Sequence, residues 1–341
     1  MVSLLLIDLG SLFWAAYFSS ANEPVSEAHD RCVRKVRWLR EHFEHEHCAI
    51  ACDSPRSLRK EKYPSYKSAR PAKDLAAIEQ LARVKLTLVA DGLLLWEADG
   101  YEADDAIAVA TREATEREMT VLIASADKDL LQLCSGSVSV YSPKTNVTFG
   151  EQEVIDKLGV RPNQVRDLLA LVGDASDSVK GVPGVGAKTA AELLKTYGNV
   201  QVLMGELSRN PNNVGKPAVR KSLQESKETL DIAIDLVTLR ADAPIDFEEL
   251  FKERKVQPLT DVRDAEFEEV DEPSDANEDW PIPEVNPDVT ETKQQPSNEE
   301  RPRSEDATFA AINAAETQQP KTAKPAETPR ETALSVVPQR N

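Results

Sequence analysis

The chain has 341 residues, 29% of them charged, and a formal net charge of −18. This length suffices for one or two domains with a sizeable buried core. The sequence has no cleavable leader pattern and no apolar run of ~18 residues, which argues against secretion and against a membrane span. We therefore expect a cytoplasmic protein, and four cysteines without a disulfide framework fit that compartment.

Three short apolar segments, "SLLLID", "HCAIACD" and "TVLIASAD", are typical of buried parallel strands and lead to Asp8, Asp53 and Asp127. Helical patterns such as "RCVRKVRWLREHF" alternate with them. This order predicts an α/β fold with a mostly parallel central sheet flanked by helices. Because sites in such sheets form beyond the carboxyl ends of the strands, the three aspartates would share one edge. Each alone could equally be a helix N-cap or a turn residue.

Between the second strand and the next acidic motif lies a basic segment, "PRSLRKEKYPSYKSARPAK", residues 55–73. It has seven basic residues against one acid, with Tyr63 and Tyr66 interleaved. A solvated basic loop is the plain alternative. A basic and aromatic strip beside an acidic cluster would nevertheless suit one nucleic-acid strand, because cations follow the phosphates and a tyrosine stacks on a base.

The motif "GYEADDAIAVA" places Glu102, Asp104 and Asp105 at the start of a predicted helix. Acids are favoured there by the helix dipole, but three together repel one another unless a cation is near. Two further pairs occur in "ADKDLLQL" and "VGDASDSVKGV". If all these acids converge, nine carboxylates form one divalent-metal site for two or more Mg²⁺ or Mn²⁺ ions. The predicted metal ligands are Asp8, Asp53, Glu102, Asp104, Asp105, Asp127, Asp129, Asp174 and Asp177.

Two such ions would hold the attacking water and the leaving oxygen of a phosphodiester in line. A second motif, "GVPGVGAKTAAELL", lacks the glycine directly before lysine that a P-loop needs. We interpret it as a helix-hairpin-helix turn in which Gly184 and Gly186 let backbone amides approach a phosphate, while Lys188 adds positive charge. A glycine-rich connection without a ligand is the alternative.

The last part of the chain, residues 259–341, differs in composition from the rest. It contains 20 acidic and 8 basic residues, 10 of the 21 prolines and no glycine. We expect this acidic, proline-rich tail to be disordered, with at most a short helix near "ATFAAINAAE", because it has too few large apolar residues to offset the entropy of ordering. A solvating role is the simplest interpretation, and its partner, if any, is unknown.

Taken in order, these motifs resemble the 5′-nuclease superfamily of flap endonucleases and 5′→3′ exonucleases, especially the bacterial kind at the amino end of DNA polymerase I. The resemblance covers roughly residues 2–255, and it rests on "LIDLGSLFWAAYF", "CDSPRSLRKEKYPSYKSARP", "GYEADDAIA", "SADKDLLQL" and "LVGDASDSVKGVPGVGAKTAAELL". No polymerase motif is present, which predicts a free-standing nuclease. Ser178 and Lys180 depart from the usual motif before the turn, but no carboxylate is lost.

The resemblance implies a PIN-like 5′-nuclease fold with a nuclease core at residues 1–160, including a basic arch at about 55–80, and a helical DNA-binding region at 161–258. It implies that Arg59, Tyr66, Lys67 and Arg70 belong to the arch, with Lys67 and Arg70 at the scissile phosphate. The turn at 181–188 would be a helix-three-turn-helix that binds duplex DNA and carries a potassium ion. We expect a monomer that acts on 5′ flaps, 5′ ends and nicked or gapped duplexes in DNA replication or repair.

Two other functions are compatible with parts of the pattern. An endoribonuclease of a related small acidic-site fold would share the carboxylates but lack the turn at 181–188 and the long basic segment. A non-catalytic, structure-specific binding module would use the turn but would not need nine placed acids. Cleavage of matched RNA and DNA flaps, and sensitivity to a chelator, separate these alternatives.

Overall fold

The computed structural model describes residues 2–20, 26–70 and 74–254. The predicted tail at 259–341 lies outside these residues. The described strands are β1 (Val2–Asp8), β2 (His45–Ala51), β3 (Leu94–Trp96), β4 (Val121–Ala124), β5 (Val138–Ser142), β6 (Val147–Phe149), β7 (Gly173–Asp174) and β8 (Val179–Lys180). The described helices are α1 (Leu9–Ser19), α2 (Ser26–His42), α3 (Leu58–Lys62), α4 (Leu75–Ala90), α5 (Ala103–Glu116), α6 (Glu151–Leu158), α7 (Pro162–Val172), α8 (Ala187–Tyr197), α9 (Val200–Arg209), α10 (Pro217–Glu225) and α11 (Lys227–Val237).

The central sheet has the strand order β3-β2-β1-β4-β5-β6. All its neighbouring pairs are parallel except β5 with β6, so the mostly parallel sheet predicted from the sequence is confirmed. The three apolar segments form β1, β2 and β4, which lie beside one another. Their carboxyl ends therefore meet at one edge.

Both faces of the sheet are covered, which explains why its strands are continuously apolar rather than alternating. Leu4 and Leu6 of β1 belong to one buried cluster with α5 and α7. Leu5 and Ile7 belong to a second cluster with α1, α2 and α4. Among the residues described here, no helix has both the length and the apolar character that crossing a membrane requires.

The aspartates at the carboxyl edge do not all end their strands. Asp8 is the last residue of β1, whereas Asp53 and Asp127 lie in the loops that follow β2 and β4. Asp8 also caps α1, and Asp127 caps a 3-10 helix at Lys128–Leu133. The N-cap interpretation is therefore correct for these two residues, and it is compatible with their position at the edge.

A tight hairpin of β7 and β8 connects α7 to the turn before α8. Its two ends approach so closely that a Cβ atom on Gly181 would lie 2.2 Å from the carbonyl oxygen of Val172. Gly173 has a φ of +79°, and a Cβ there would lie 2.4 Å from the Gly181 nitrogen. Only glycine fits at both positions. The hairpin carries Asp174 and Asp177 towards the edge of the sheet.

Candidate metal centre and nucleic-acid interface

Asp8 lies at the floor of the candidate site, with 7% of its surface exposed. Its carboxylate accepts hydrogen bonds from the Ser11 backbone nitrogen at 3.0 Å and from the Ser125 hydroxyl at 2.7 Å. Burial raises the pKa of Asp8 to about 7, and the charges of Asp53 and Asp127 add to this effect. Among the described residues, Asp8 is thus a buried carboxylate without a cationic partner.

Asp53 connects β2 to the start of α5, since its side chain accepts a hydrogen bond from the Ala103 nitrogen at 3.0 Å. Glu102 is the N-cap residue of α5, and its Oε2 accepts from the Tyr66 hydroxyl at 2.9 Å and from Lys67 Nζ at 2.8 Å. Burial raises the pKa of Asp104 well above its usual value, although the neighbouring Arg59 opposes this. The first turn of α5 thus directs Glu102 and Asp104 to the same place as Asp53.

Four further carboxylates come from the segment after β4 and from the β7–β8 hairpin. They are Asp127, Asp129, Asp174 and Asp177. Burial raises the pKa of Asp129 to about 8, and Asp127 adds to the shift. Within the described part of the chain, the Oδ1 atom of Asp129 is buried and has no hydrogen-bond partner. Lys128 Nζ lies 2.8 Å from a carboxylate oxygen of Asp174. Burial alone would raise the pKa of Asp174, but hydrogen bonds from Lys128 and Ser176 lower it below its usual value. Asp177 pairs with Arg70.

Lys67 joins the two groups of acids. Besides its contact with Glu102, its ammonium is close enough to Asp53 and Asp177 to raise its own pKa, although burial opposes the shift. Asp127 in turn interacts with Asp177 and Lys67. The described residues contain no group of three Asp, Glu, His or Cys side chains already arranged around a single ion. Lysines and arginines of the chain instead neutralise several of the acids.

Asp105 is a correction to the predicted ligand set. It is fully buried, and its two oxygens accept from the guanidinium of Arg59, both at 2.7 Å. The same carboxylate accepts from the backbone nitrogens of Glu102 and Arg240. Each oxygen therefore accepts two hydrogen bonds from the protein itself. This arrangement is at odds with the predicted role of Asp105 as a cation ligand.

Arg59 and Tyr66 are also corrections. Both were expected to contact DNA, but Arg59 is 3% exposed and Tyr66 is 4% exposed. The Arg59 guanidinium donates hydrogen bonds to Asp105, and the Tyr66 hydroxyl donates a hydrogen bond to Glu102. A base cannot stack on a ring that is already packed in the core. The periodicity of the segment does not reveal the burial of Arg59, because α3 is only five residues long, and Tyr66 lies beyond the end of this helix.

Lys67 and Arg70 keep positions from which they can reach a phosphate. Lys67 adopts a left-handed conformation with φ of +54°, and its backbone nitrogen donates to the Asp177 carbonyl at 2.8 Å. The Arg70 side chain is half exposed. The loop that carries both residues is thus tied to the β7–β8 hairpin. Such strained backbone is frequent at functional sites.

The glycine-rich turn before α8 is exposed at Gly184, Gly186 and Lys188. Gly184 has a φ of +77°, and no atom of the residues that the structure describes lies within 4 Å of a Cβ built on Gly184 or Gly186. Gly186 is the N-cap of α8 and offers no side chain to the free amides of the first turn. The open backbone at a helix N-terminus can accept an anion.

Two residues that contact the candidate ligands were missed at the sequence level. Ser125 donates to Asp8 and accepts from the Asp127 nitrogen at 3.0 Å, so it connects two of the candidate ligands. Lys128 neutralises Asp174. The sequence signal for Lys128 is its position between Asp127 and Asp129. A lysine between two predicted metal ligands is expected to neutralise part of their negative charge.

Two family descriptions match consecutive parts of the chain. Residues 3–159 match the 5′-3′ exonuclease N-terminal resolvase-like domain, and residues 160–259 match the 5′-3′ exonuclease C-terminal SAM fold. The chain is 37% identical over 205 residues to the 5′-3′ exonuclease of Aquifex aeolicus. The aligned segment covers 60% of this chain and 68% of that protein. The chain belongs to the 5′-3′ exonuclease family. This is a family of hydrolases that act on DNA.

This 5′-3′ exonuclease family member is also 36% identical to DNA polymerase I of Rhizobium leguminosarum over 59% of its own length, but spans only 20% of that protein. A solved structure of the bacteriophage T5 D15 flap endonuclease, a pseudo-enzyme-product complex with DNA and metal ions, has a TM-score of 0.58. That match is 23% identical and covers 70% of this chain and 89% of the T5 chain. The predicted nuclease fold is therefore confirmed.

Proposed function

We propose that the chain is a metal-dependent 5′→3′ exonuclease and structure-specific flap endonuclease that hydrolyses DNA phosphodiester bonds near 5′ ends. The observation that carries this proposal is the position of Lys67, which contacts Glu102 and lies close to Asp53 and Asp177, with Arg70 paired to Asp177. Membership of the exonuclease family and the DNA and metal ions bound to the T5 relative support the same conclusion. A role in replication or repair follows from this activity.

The donor set fits a hard divalent cation. The proposed ligands are Asp8, Asp53, Glu102, Asp104, Asp127, Asp129, Asp174 and Asp177. All are oxygen donors, as Mg²⁺ and Mn²⁺ prefer. The raised pKa values of Asp8 and Asp129 and the unpartnered Oδ1 of Asp129 support a need for added positive charge. When bound, two such ions would activate a water and stabilise the leaving oxygen of a phosphodiester.

The basic side chains supply the rest of the site. Lys67 and Arg70 would bind the scissile phosphate, exchanging Glu102 and Asp177 for phosphate oxygens as partners. The Tyr66 hydroxyl keeps Glu102 in place when Lys67 leaves it. This exchange offsets the repulsion between an anionic substrate and an acidic pocket.

The duplex part of the substrate would dock on the turn at Gly184, Gly186 and Lys188. The exposed amides at the start of α8 and the Lys188 ammonium suit a phosphate backbone without reading bases. A potassium ion on the carbonyls of this turn, a monomeric state and a cytoplasmic location remain predictions of the same proposal. The number of acids beside Lys67 and Arg70 favours a nuclease over a module that binds DNA without cleaving it.

The direct test is release of 5′-labelled fragments from a flapped DNA duplex in Mg²⁺. We expect cleavage that EDTA abolishes and that Asp104→Asn slows by about 10²-fold or more. Lys67→Ala should slow the single-turnover rate more than it weakens duplex binding. Equal cleavage by wild type and Asp104→Asn would reject the proposal. Preference for a matched RNA flap would favour the endoribonuclease.

A further inference from the structure

The ion pair between Arg59 and Asp105 lies inside the protein, next to the candidate metal centre. The guanidinium of Arg59 forms a bidentate pair with the Asp105 carboxylate. Nη1 donates to Oδ2 and Nη2 donates to Oδ1, each at 2.7 Å. Backbone nitrogens of Glu102 at 3.1 Å and Arg240 at 2.8 Å complete the hydrogen bonds of Asp105. A buried pair with this geometry is costly to break from one side, because the remaining charge is left without a partner.

The pair joins three segments that are distant in sequence. Arg59 lies in α3, Asp105 lies in the first turn of α5, and Arg240 follows α11. Arg59 Nη2 also donates to the carbonyl of Thr238 at 3.0 Å. On the outside, Lys62 of α3 forms an ion pair with Asp235 of α11 at 2.8 Å. Helix α3 is therefore held between the nuclease core and the end of α11.

This arrangement determines where the following basic residues lie. The Tyr63 nitrogen donates to the Arg59 carbonyl at 2.8 Å, and the Tyr66 nitrogen donates to the Tyr63 carbonyl at 2.9 Å. These two bonds lead from Arg59 directly to Lys67. Arg59 Nη1 also lies 3.3 Å from Glu102, the carboxylate that Lys67 contacts. A shift of α3 would move Lys67 relative to the acids.

We propose that Asp105 is a positioning residue that acts through Arg59 to place Lys67 and Arg70 beside the metal centre, and that it does not ligate a cation. The proposal rests on the proposed function, since it gives these two residues a scissile phosphate to contact. Asp104, the adjacent residue in the same turn, retains its role as a ligand. The two neighbouring aspartates of the "EADD" motif therefore have different tasks.

The first part of the test is binding of Ca²⁺ alone, measured by titration calorimetry on the full chain. We expect Asp105→Asn to bind Ca²⁺ with wild-type stoichiometry and nearly wild-type affinity. The matched variant Asp104→Asn should bind at least about 10-fold more weakly. If Asp105→Asn loses affinity as Asp104→Asn does, Asp105 is a ligand and the proposal is overturned.

The second part is the single-turnover cleavage rate at saturating Mg²⁺, measured well below the melting temperatures. Asp105→Asn and Arg59→Gln should each slow cleavage by about 10- to 100-fold, because a small misplacement of a contacting group has a large effect on rate. The double variant should match the slower single variant within about 2-fold. Lys67→Ala should slow the Asp105→Asn variant much less than it slows wild type.

Both single variants should also melt about 10 °C lower. A lower melting temperature with an unchanged cleavage rate would mean that the pair only stabilises the fold, and would overturn the proposal. If either variant fails to fold, Arg59→Lys replaces it in the test, because this variant keeps the positive charge but cannot form two parallel hydrogen bonds to Asp105. Arg59→Lys should still slow the single-turnover cleavage rate and leave the Ca²⁺ affinity unchanged. Wild type that cleaves no flap would instead refute the proposed function, while the Ca²⁺ titrations would still decide whether Asp105 is a ligand.

Discussion

At the scale of single residues, the aspartates of the candidate site divide by their local environment. Asp8 is buried with only hydroxyl and amide partners, and its pKa is raised to about 7. Asp174 has an ammonium partner in Lys128, and its pKa is lowered. A carboxylate whose pKa is raised destabilises the folded chain at neutral pH unless an outside cation compensates. The raised pKa of Asp8 therefore costs folding stability at neutral pH, whereas the lowered pKa of Asp174 does not.

This contrast predicts different effects of two isosteric substitutions on the stability of the folded chain. Asp8→Asn should stabilise the EDTA-treated protein at pH 8 by about 2 kcal/mol, because it removes a poorly solvated charge and keeps an oxygen for the Ser11 amide. Asp174→Asn should give no stabilisation, since Lys128 then loses its partner. Thermal melts in EDTA measure both. A lower melting temperature for Asp8→Asn would contradict this view of the site.

At the scale of elements, the hairpin between α7 and α8 has two functions. Its strands carry Asp174 and Asp177 to the sheet edge, and the chain beyond it forms the exposed turn. The hairpin closes only because Gly173 and Gly181 allow the backbones to touch. The turn has no such crowding at Gly186. Gly173 and Gly181 thus allow the close packing of the hairpin, whereas Gly186 leaves the backbone of the turn exposed.

Two alanine substitutions separate these functions. Gly181→Ala should lower the melting temperature by about 5 °C or more and slow cleavage, because the added Cβ displaces the strand that carries Asp174. Gly186→Ala should leave the melting temperature nearly unchanged, but should weaken duplex binding because its methyl group crowds the docked phosphate. Melting curves and gel-shift titrations test the pair. Equal melting temperatures for the two variants would refute the packing argument.

At the scale of the whole molecule, the sequence predicted the sheet and its helices, and the structure confirms both. This succeeded because buried parallel strands follow local patterns, whereas the convergence of the acids on one metal centre remains a prediction. The prediction from sequence failed for Arg59 and Asp105 because their partners Thr238 and Arg240 lie more than a hundred residues away. It failed for Tyr66 because the contact of its hydroxyl with Glu102 follows no local pattern. The division of the chain near residue 160 and the character of the tail remain predictions.

The combined carboxylates should also make stability depend on pH. The pKa values of Asp8 and Asp129 rise on folding from 3.8 to about 7 and about 8, so the folded state binds more protons between these limits. Their favourable contribution is present below pH ~4 and lost as the pH rises through 7 to 8. In EDTA the melting temperature should therefore fall from pH 6 to pH 8.5, and Mg²⁺ should reduce that fall. A fall of the same size with and without Mg²⁺ would argue against cation binding here.

The most direct test of the central claim, that eight carboxylates form one cation centre, is a titration of the full chain with Mn²⁺ in the absence of DNA. We predict two or more bound ions per chain, with at least one weakened by about 10-fold or more in both Asp104→Asn and Asp129→Asn. These two residues come from opposite sides of the site. No Mn²⁺ binding, or binding that neither substitution changes, would contradict a shared centre.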